Sequence, residues 1–482
     1  MKLAPLSFAD AGRQKVIFAA LFDSYPVARD RLVSALPVRA RRALAAFAKK
    51  NFKGEEGEIK SLWLSAGRPE RIVLFGLGEQ AKWNERKEPL LARRFVRYAK
   101  AEKIAEFAAA APASAQQFAE NALMAEFEYT KYKKAPKDGW PEVKTIFLGT
   151  DRERIGTLRD GIAQGTLIGA EINATRGLAN TPGSDMTPAL LAEAAVRIAK
   201  ETGVKVKILD EPKIKKLGMG GVLGVARGSS EKPKFIILEY LNGPKNQKPL
   251  VLAGKGVTFD TGGINLKPEQ YMYEMHMDMS GGAAVIHGIA AIARLKLPVN
   301  VVGLIPAVEN MPSGSSYRPG DLLKSLSGKI IEVLNTDAEG RVILSDALTY
   351  ALRYKPGLIA DFATLTGAAH VALGNYCSAL FTNRDALTDP LVRIGRQSGD
   401  YVWPLPLWDE YLADIKGIFG DLTNIAKQDR YGGAIHGAKF LEQFVDQTPW
   451  AHIDIAPRMT SVDSEYLAKG ASGVGVRYIV EL

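Results

Sequence analysis

The chain has 482 residues, too many for a single hydrophobic core, so its length indicates two or three domains. Hydrophobic residues make up 46% and charged residues 24%, which is typical of a soluble globular protein. The single cysteine, Cys377, excludes an internal disulfide and a cysteine-rich zinc site. With no export signal and no apolar run near the roughly 18–20 residues of a membrane helix, we expect a cytoplasmic protein with no membrane partner.

The positive charge is concentrated in residues 1–150. They hold 27 Lys and Arg against 17 Asp and Glu, which accounts for the whole formal net charge of +10. Basic clusters occur within residues 39–42, 93–97 and 131–137. A solvated surface explains such clusters as well as an anionic partner does, so nucleic-acid binding is kept as an alternative role of this segment.

Taken in chain order, residues 1–150 alternate strand-like and helix-like patterns. Strands are predicted over residues 16–22, 59–64, 71–76 and 143–148, and helices over 89–107 and 114–124. This alternation predicts a small basic α/β domain over residues 1–150. A long helical pattern at 152–178 then predicts a connecting helix within residues 151–180.

Residues 181–482 alternate apolar, β-branched segments with helical patterns, which predicts a larger α/β domain. Strands are predicted over residues 205–209, 234–240, 250–253, 299–307, 330–334, 358–362 and 450–455. Such a pattern indicates a mostly parallel sheet flanked by helices. Ligands of these sheets bind beyond the carboxyl ends of the strands. Because polar motifs follow the strands at 250–253, 330–334 and 358–362, we expect one site at one sheet edge.

The most informative motif is residues 335–341, which read Asn-Thr-Asp-Ala-Glu-Gly-Arg. In an extended segment Asp337, Glu339 and Arg341 would leave the same face and converge on one point. A second cluster upstream adds two carboxylates and two lysines, namely Lys255, Asp260, Lys267 and Asp278. The histidines lack metal-site spacing, so oxygen ligands must dominate any metal site.

The two clusters together predict a metalloenzyme. Four carboxylates can neutralise two divalent cations, which could activate a bridging water near neutral pH. One of the two lysines could ligate a metal as a neutral amine, while the other stays charged and stabilises an oxyanion. Arg341 is suited to hold a small bidentate anion. From the carboxylates alone, a two-metal phosphoesterase remains the rival enzyme.

These motifs resemble those of the leucine (cytosol) aminopeptidase family, dinuclear-zinc peptidases with an α/β catalytic domain. Beside NTDAEGR at 335–341, the agreement includes GKGVTFDTGGINLKP at 254–268, Met275 to Asp278, DFATLTGA at 361–368 and WAHIDIA at 450–456. It covers essentially all of residues 180–482 in the family's order and spacing. Residues 1–150 match the family only in the arrangement of their predicted elements.

The resemblance implies two divalent metal ions per subunit, Zn²⁺ or Mn²⁺. One ion would be held by Lys255, Asp260, Asp278 and Glu339, and the other by Asp260, Asp337 and Glu339 with the Asp337 main-chain carbonyl. Lys267 would stabilise the gem-diolate formed on the substrate. Arg341 would hold a bicarbonate that acts as general base. The implied reaction is hydrolysis of the N-terminal residue from peptides by a metal-activated bridging water.

The resemblance also implies a pocket for the first side chain of the peptide. Its lining would be Met275, Thr364, Ala456 and Met459, and Leu365 would contact the substrate backbone. An apolar pocket of this kind favours Leu- or Met-like N-terminal residues. Arg458 could add a charge at the pocket mouth, which leaves fine specificity open. The family further implies a homohexamer.

Overall fold

The computed structural model describes residues 1–23, 27, 30–427 and 431–482. The chain divides into two units. The first comprises Met1–Ala170 and Val462–Ala468, and the second comprises Glu171–Ser461 and Lys469–Leu482. Among the described residues, no helix is both long enough and apolar enough to span a membrane.

A six-stranded sheet forms the centre of the first unit. Its strands are β1 (Lys2–Ser7), β2 (Val16–Leu21), β3 (Ile59–Trp63), β4 (Arg71–Gly76), β5 (Glu106–Ala110) and β6 (Thr145–Thr150). They lie in the order β1-β6-β5-β2-β4-β3, and only the β3–β4 pair is antiparallel. The helices of this unit are α1 (Phe8–Ala11), α2 (Arg31–Ser34), α3 (Val38–Asn51), α4 (Lys87–Ala101) and α5 (Ala115–Glu126).

The helix predicted over residues 89–107 was too long. Lys103 adopts a left-handed conformation (φ 53°) directly after α4, and the chain then enters β5. Phe107 and the two alanines after it are buried between β6 and β2, where small and aromatic side chains pack well. Strand β1 and helix α3 were not predicted from the sequence.

Helix α6 (Ile155–Ala179) runs through the residue at which the two units divide. The helical pattern at 152–178 had predicted a helix here. The remaining helices of the second unit are α7 (Pro188–Thr202), α8 (Glu211–Leu217), α9 (Gly220–Ala226), α10 (Glu269–Met272), α11 (Ser280–Arg294), α12 (Glu339–Ala351), α13 (Gly367–Leu373), α14 (Thr388–Ser398), α15 (Gly433–Glu442) and α16 (Val476–Glu481).

Among the described residues, nine strands build the main sheet of the second unit. They are β7 (Lys205–Leu209), β8 (Lys234–Leu241), β9 (Leu250–Gly254), β10 (Gly256–Asp260), β11 (Asn300–Asn310), β14 (Leu358–Ala363), β15 (Ser378–Thr382), β16 (Val402–Pro404) and β18 (Trp450–Asp454). Eight lie in the order β16-β15-β18-β14-β9-β11-β8-β7, and β10 pairs with β11. Five pairs are parallel and three are antiparallel. The predicted α/β class with a mostly parallel sheet is therefore confirmed.

The strand predicted at 330–334 does not belong to this main sheet. It is the short strand β13 (Ile330–Glu332), which pairs with β12 (Leu322–Lys324) and β17 (Leu422–Thr423) in a separate three-stranded sheet. Glu332 is buried there and accepts N–H bonds from Ile418 and Phe419 at 2.8 and 3.0 Å. The expectation that three polar loops share one sheet edge was thus wrong for this loop.

A buried carboxylate joins the adjacent strands β14 and β18. Asp361 Oδ1 lies 2.6 Å from His452 Nδ1, and Trp450 Nε1 donates to Asp361 Oδ2 at 2.7 Å. All three side chains are fully buried. Burial by itself would lower the pKa of His452, but the charge and hydrogen bond of Asp361 outweigh burial and raise that pKa.

This pair predicts a pH dependence of stability. An unfolded histidine loses its proton near pH 6.5, whereas His452 in the folded protein holds it to higher pH. The folded state then binds more protons, so the free energy of unfolding falls as the pH rises above that value and through the folded pKa. Urea unfolding between pH 6 and 9 checks this. The Asp361→Asn variant should be less stable at pH 6, and its free energy of unfolding should depend less steeply on pH. An unchanged pH dependence would contradict the assignment.

Candidate active site

Eleven of the twelve predicted site residues line one cavity of about 610 Å³ in the second unit. They are Lys255, Asp260, Lys267, Met275, Asp278, Asp337, Glu339, Thr364, Leu365, Ala456 and Met459. Sequence reasoning missed a further part of the lining, which comprises Pro268, Tyr271, Thr366, Gly367, His370 and Val371. Arg341 does not line this cavity.

Lys255 occupies the break between β9 and β10 and is almost completely buried. Its Nζ lies 2.8 Å from Asp278 Oδ2 and 2.7 Å from Glu339 Oε1, and it donates to the Thr364 carbonyl at 2.9 Å. A Cβ atom at Gly340 would come within 2.6 Å of Lys255 Cε. Glycine at this position therefore lets the amine reach both carboxylates.

Lys267 approaches the same cavity from the loop after β10. Gly262 and Gly263, with φ of 85° and 67°, turn this loop back on itself, and Lys267 N donates to the Thr261 carbonyl at 2.9 Å. Lys267 Nζ lies 2.8 Å from Asp260 Oδ2 and also contacts Asp337 Oδ1. Each lysine of the site thus sits between two carboxylates.

The backbone of residues 335–341 is not extended, contrary to the expectation from the sequence. Asp337 lies in a turn and Glu339 begins helix α12. Asp337 and Glu339 nevertheless converge, because with Asp260 each offers one oxygen within 4.8 Å of the others. Arg341, two residues into the helix, points to a second cavity of about 440 Å³.

This second cavity lies beside the first, and Arg341 Nη1 donates to the Asn424 carbonyl at 3.0 Å. Its lining is Asn335, Arg341, Ile425, Ala426, Lys427, Gly433 and His436. Arg341 Nε is buried and donates no hydrogen bond to any described residue. Burial lowers the pKa of Arg341 to about 10, so the guanidinium stays charged at neutral pH.

Several buried polar residues orient the predicted ligands, and sequence reasoning missed most of them. Asn310, at the end of β11, donates to Asp260 Oδ1 at 2.8 Å and to the Thr336 carbonyl at 2.9 Å. Tyr317 donates its hydroxyl to the same carbonyl at 2.7 Å. A polar residue that ends a long apolar strand, as Asn310 does, is the signal that could have revealed it.

Asp454, at the end of β18, joins two loops of the cavity wall. This carboxylate accepts N–H bonds from Leu365 at 3.0 Å and Ala456 at 3.1 Å, and the Thr366 hydroxyl at 2.7 Å. Thr364 donates its hydroxyl to Asp278 Oδ1 at 2.6 Å. Two loops of the predicted pocket are thereby joined to each other and to a predicted ligand.

The buried carboxylates carry more negative charge than the lysines neutralise. Burial raises the pKa values of Asp260 and Asp278, and it raises that of Asp337 to about 7 with help from the charge of Asp260. The two lysines outweigh burial only at Glu339, whose pKa is lowered. Burial would lower the pKa values of both lysines, but the carboxylates outweigh it and raise them.

The donor set fits divalent metal ions. Asp278 Oδ2, Asp337 Oδ1 and Glu339 Oε1 are buried beside the lysine ammoniums, yet no described group donates a well-directed hydrogen bond to them. Carboxylate oxygens with a nearby amine are ligands that Zn²⁺ and Mn²⁺ accept. A cation would therefore satisfy oxygen atoms that the protein leaves incompletely satisfied.

Sequence models of one known family match most of the chain. The sequence model of the "Cytosol aminopeptidase family, catalytic domain" matches residues 173–480, and that of the "N-terminal domain" matches residues 39–136. The chain belongs to the cytosol aminopeptidase family. It is a metal-dependent aminopeptidase, a hydrolase that releases N-terminal residues from peptides. The resemblance inferred from the motifs is confirmed.

Individual relatives cover nearly the whole chain. A "Probable cytosol aminopeptidase" of Syntrophotalea carbinolica is 42% identical over 90% of this chain and 89% of its own length. A second relative of that name, from Geobacter sulfurreducens, is 39% identical over 94% of this chain and 93% of its own length. Among solved structures, the "Bottromycin maturation enzyme BotP in complex with Mn" has a TM-score of 0.83 and 29% identity, covering 97% of this chain and 98% of that one. The relatives' names place them in the cytosol, in agreement with the predicted cytoplasmic location.

Proposed function

We propose that this aminopeptidase uses two divalent ions, Zn²⁺ or Mn²⁺, bound by the carboxylate cluster. One ion would be held by Lys255, Asp260, Asp278 and Glu339, and the other by Asp260, Asp337 and Glu339. The observation that carries the proposal is the convergence of Asp260, Asp337 and Glu339 within 4.8 Å of one another. When bound, the ions would lower the pKa of a water molecule so that it can act as the nucleophile, and would offer a binding site for the amine of the peptide.

The two lysines would have different roles in this proposal. Lys255 is the more enclosed, with a side chain only 4% exposed, and would ligate a metal as a neutral amine. Lys267 is 14% exposed and lies at the cavity surface, where its ammonium can meet the scissile carbonyl. It would donate a hydrogen bond to the oxygen on which negative charge develops, and so stabilise the gem-diolate.

Arg341 would hold a bicarbonate that acts as general base. Its guanidinium is charged, its Nε lacks an acceptor among the described residues, and its second cavity also reaches Asn335 of the same motif. A guanidinium matches the planar oxygen pair of a bicarbonate in a bidentate manner. The bound anion could then take a proton from the attacking water.

The first side chain of the peptide would enter the apolar part of the 610 Å³ cavity. Met275, Thr364, Ala456 and Met459 would line its pocket, and Leu365 would contact the substrate backbone. Methionine side chains adapt to different apolar groups, which favours Leu- and Met-like residues. Residues 181–482 would be the catalytic domain, and the working assembly would be a homohexamer.

Nucleic-acid binding by residues 1–150 remains a second candidate role, alone or alongside catalysis. The observation in its favour is that Arg39, Arg41 and Arg42 are exposed on α3, as are the lysines within residues 131–137. The cluster at 93–97 contributes less, because Arg93 is buried. DNA retention that falls steeply with salt and is lost when the α3 arginines are changed would support the role. Absence of retention at low salt would remove it.

Leucyl p-nitroanilide hydrolysis with parallel metal analysis tests the proposed catalysis. We expect activity with about two ions per chain, its loss on chelation, and its return with Zn²⁺ or Mn²⁺. A phosphate monoester serves as the matched substrate for the rival phosphoesterase reaction. Two bound ions with phosphate-ester turnover and no peptide turnover would contradict the proposal, and so would full activity after complete chelation.

A further inference from the structure

The orientation of Arg341 depends on one hydrogen bond within the protein. Its guanidinium is buried, and its Nη1 donates to the Asn424 carbonyl at 3.0 Å. No other hydrogen bond joins this guanidinium to a described residue. Helix α15 packs against it at Gly437, where a Cβ would come within 3.2 Å of Arg341 Nη2, but a glycine offers no side-chain acceptor. The Asn424 carbonyl is therefore the acceptor that sets the direction of the guanidinium.

The side chain of Asn424 binds the main chain of residues 334–338, here named the 334–338 turn, which leads directly into α12. Asn424 Oδ1 accepts N–H bonds from Leu334 at 2.8 Å and from Asn335 at 3.3 Å. Asn424 Nδ2 donates to the carbonyls of Asn335 at 2.6 Å and Ala338 at 3.4 Å. Asn424 is completely buried. One side-chain amide thus holds both ends of the turn.

Hydrogen bonds at two points of Asn424 fix the place of its carbonyl. Asn424 N donates to the Glu332 carbonyl of β13 at 3.1 Å, while the side chain holds the 334–338 turn. Because the nitrogen and the Cβ atom are both held, the tetrahedral Cα leaves one position for the carbonyl carbon. The Thr423 hydroxyl binds the Ile425 carbonyl at 2.7 Å, but this bond lies within the same segment and does not reach the turn.

The other face of the 334–338 turn is held without Asn424. Thr336 N donates to Asn265 Oδ1 at 2.9 Å, and the Thr336 carbonyl accepts a hydrogen bond from Asn310 Nδ2 at 2.9 Å. These contacts support the proposed metal ligand that follows Thr336 in the chain. Removal of the Asn424 side chain should therefore displace the Arg341 guanidinium more than the carboxylates.

We infer that Asn424 is the positioning residue for the Arg341 guanidinium, and through it for the bicarbonate that this arginine would hold. A guanidinium binds such an anion in a bidentate manner only when its N–H edge faces the anion, so a rotated guanidinium binds it more weakly. The inference rests on the proposed role of Arg341. It goes further, because it gives the anion site a residue whose side chain binds only the main chain of the 334–338 turn.

Asn424→Ala and Asn424→Asp test this inference in buffers depleted of carbon dioxide, to which bicarbonate is added back. Asn424→Asp keeps the size of the side chain but places an acceptor oxygen opposite the carbonyls of Asn335 and Ala338. We expect the Kd for isotopically labelled bicarbonate, measured by difference infrared titration, to rise about tenfold in both variants, as for loss of a residue that orients a ligand. The bicarbonate concentration that gives half-maximal leucyl p-nitroanilide hydrolysis should rise equally. Metal content should stay near the parental value.

Hydrogen exchange in the parental protein provides a test that needs no variant. The Leu334 amide donates to Asn424 Oδ1, so an anion that stabilises the arrangement of Arg341 and Asn424 should slow exchange at this amide. We expect saturating bicarbonate to slow this exchange severalfold. If neither variant folded, this measurement alone would decide the inference.

Asn383→Ala is the matched control, because the Asn383 side chain also joins main-chain groups distant in the sequence, outside both cavities described above. Its Oδ1 accepts an N–H bond from Trp450 and its Nδ2 donates to the Thr448 carbonyl, each at 2.9 Å. This variant should be less stable than the parental protein and bind bicarbonate with unchanged affinity.

Two results would contradict different parts of the argument. Unchanged bicarbonate affinity in both Asn424 variants, with no effect of bicarbonate on Leu334 exchange in the parental protein, would overturn the inference and leave Asn424 a structural residue. If the parental protein neither bound bicarbonate nor responded to it, the proposed role of Arg341 would fail instead. A crystal structure of Asn424→Ala would then still decide whether Asn424 positions the guanidinium.

Discussion

Glu339→Gln is expected to abolish peptide hydrolysis and to lower the metal content of the protein. Glu339 begins α12, is buried, and belongs to both proposed ligand sets. The substitution keeps the size of the side chain but removes its charge, which leaves Lys255 with one carboxylate partner fewer. If the metal ions supply several kcal/mol of transition-state stabilisation, kcat/KM should fall by about 10³-fold or more.

Asp337→Ala provides an informative comparison, since Asp337 belongs to only one proposed ligand set. Turnover should again be lost, but one ion per chain should be retained. Glu339→Gln, in contrast, should weaken the binding of both ions. Glu309→Gln is the control: Glu309 is a partly buried carboxylate on β11 that binds Ser229 outside the cavity. Atomic absorption after gel filtration, together with steady-state kinetics, checks these outcomes. Near-parental rates with two ions in Glu339→Gln would mean that the ligands are misassigned.

Lys267→Ala should reduce turnover while leaving the metal content intact. Lys267 belongs to no proposed ligand set, and its removal takes a positive charge away from Asp260 and Asp337, which does not weaken cation binding. Loss of one donor to a developing oxyanion typically costs about 10²–10³-fold in kcat, and we expect a decrease of that size. KM should change less than kcat, because the donor acts chiefly in the transition state.

Lys439→Met is the matched control for this variant. Lys439 is also buried between two carboxylates, Asp409 and Glu442, in the same unit but outside the site. Its loss should lower stability without an equivalent loss of kcat. A Lys267→Ala variant that lost both ions, or that hydrolysed peptides at the parental rate, would contradict the assignment of Lys267 as the oxyanion donor.

The site was more predictable from the sequence than the backbone that carries it. Motif matching brought eleven residues to one cavity, but the extended geometry assumed for residues 335–341 was wrong. A period of two in the sequence cannot distinguish an extended segment from a turn followed by a helix, and here the helix begins at Glu339. Arg341 consequently points into the neighbouring cavity.

The missed elements have a common physical reason. Strand β5 is rich in alanine, which carries a helical propensity, and only burial between β6 and β2 makes it a strand. The strand predicted at 330–334 is present as β13, but its place in a separate sheet depends on pairing with β12 and with β17, about 90 residues further along the chain. Asn310 and Asp454 each end an apolar strand, which is a local signal, but that position does not indicate which distant groups their side chains bind.

Gly340 shows how the site can be lost without losing a ligand. A side chain as small as alanine at this position would bring a Cβ within 2.6 Å of Lys255 Cε and 2.8 Å of its Nζ. The amine would have to withdraw from Asp278 and Glu339, although every proposed ligand would still be present in the sequence. We therefore expect relatives that keep all five proposed ligands but carry a larger residue at this position to lose activity, a loss that comparing the ligands alone would not reveal.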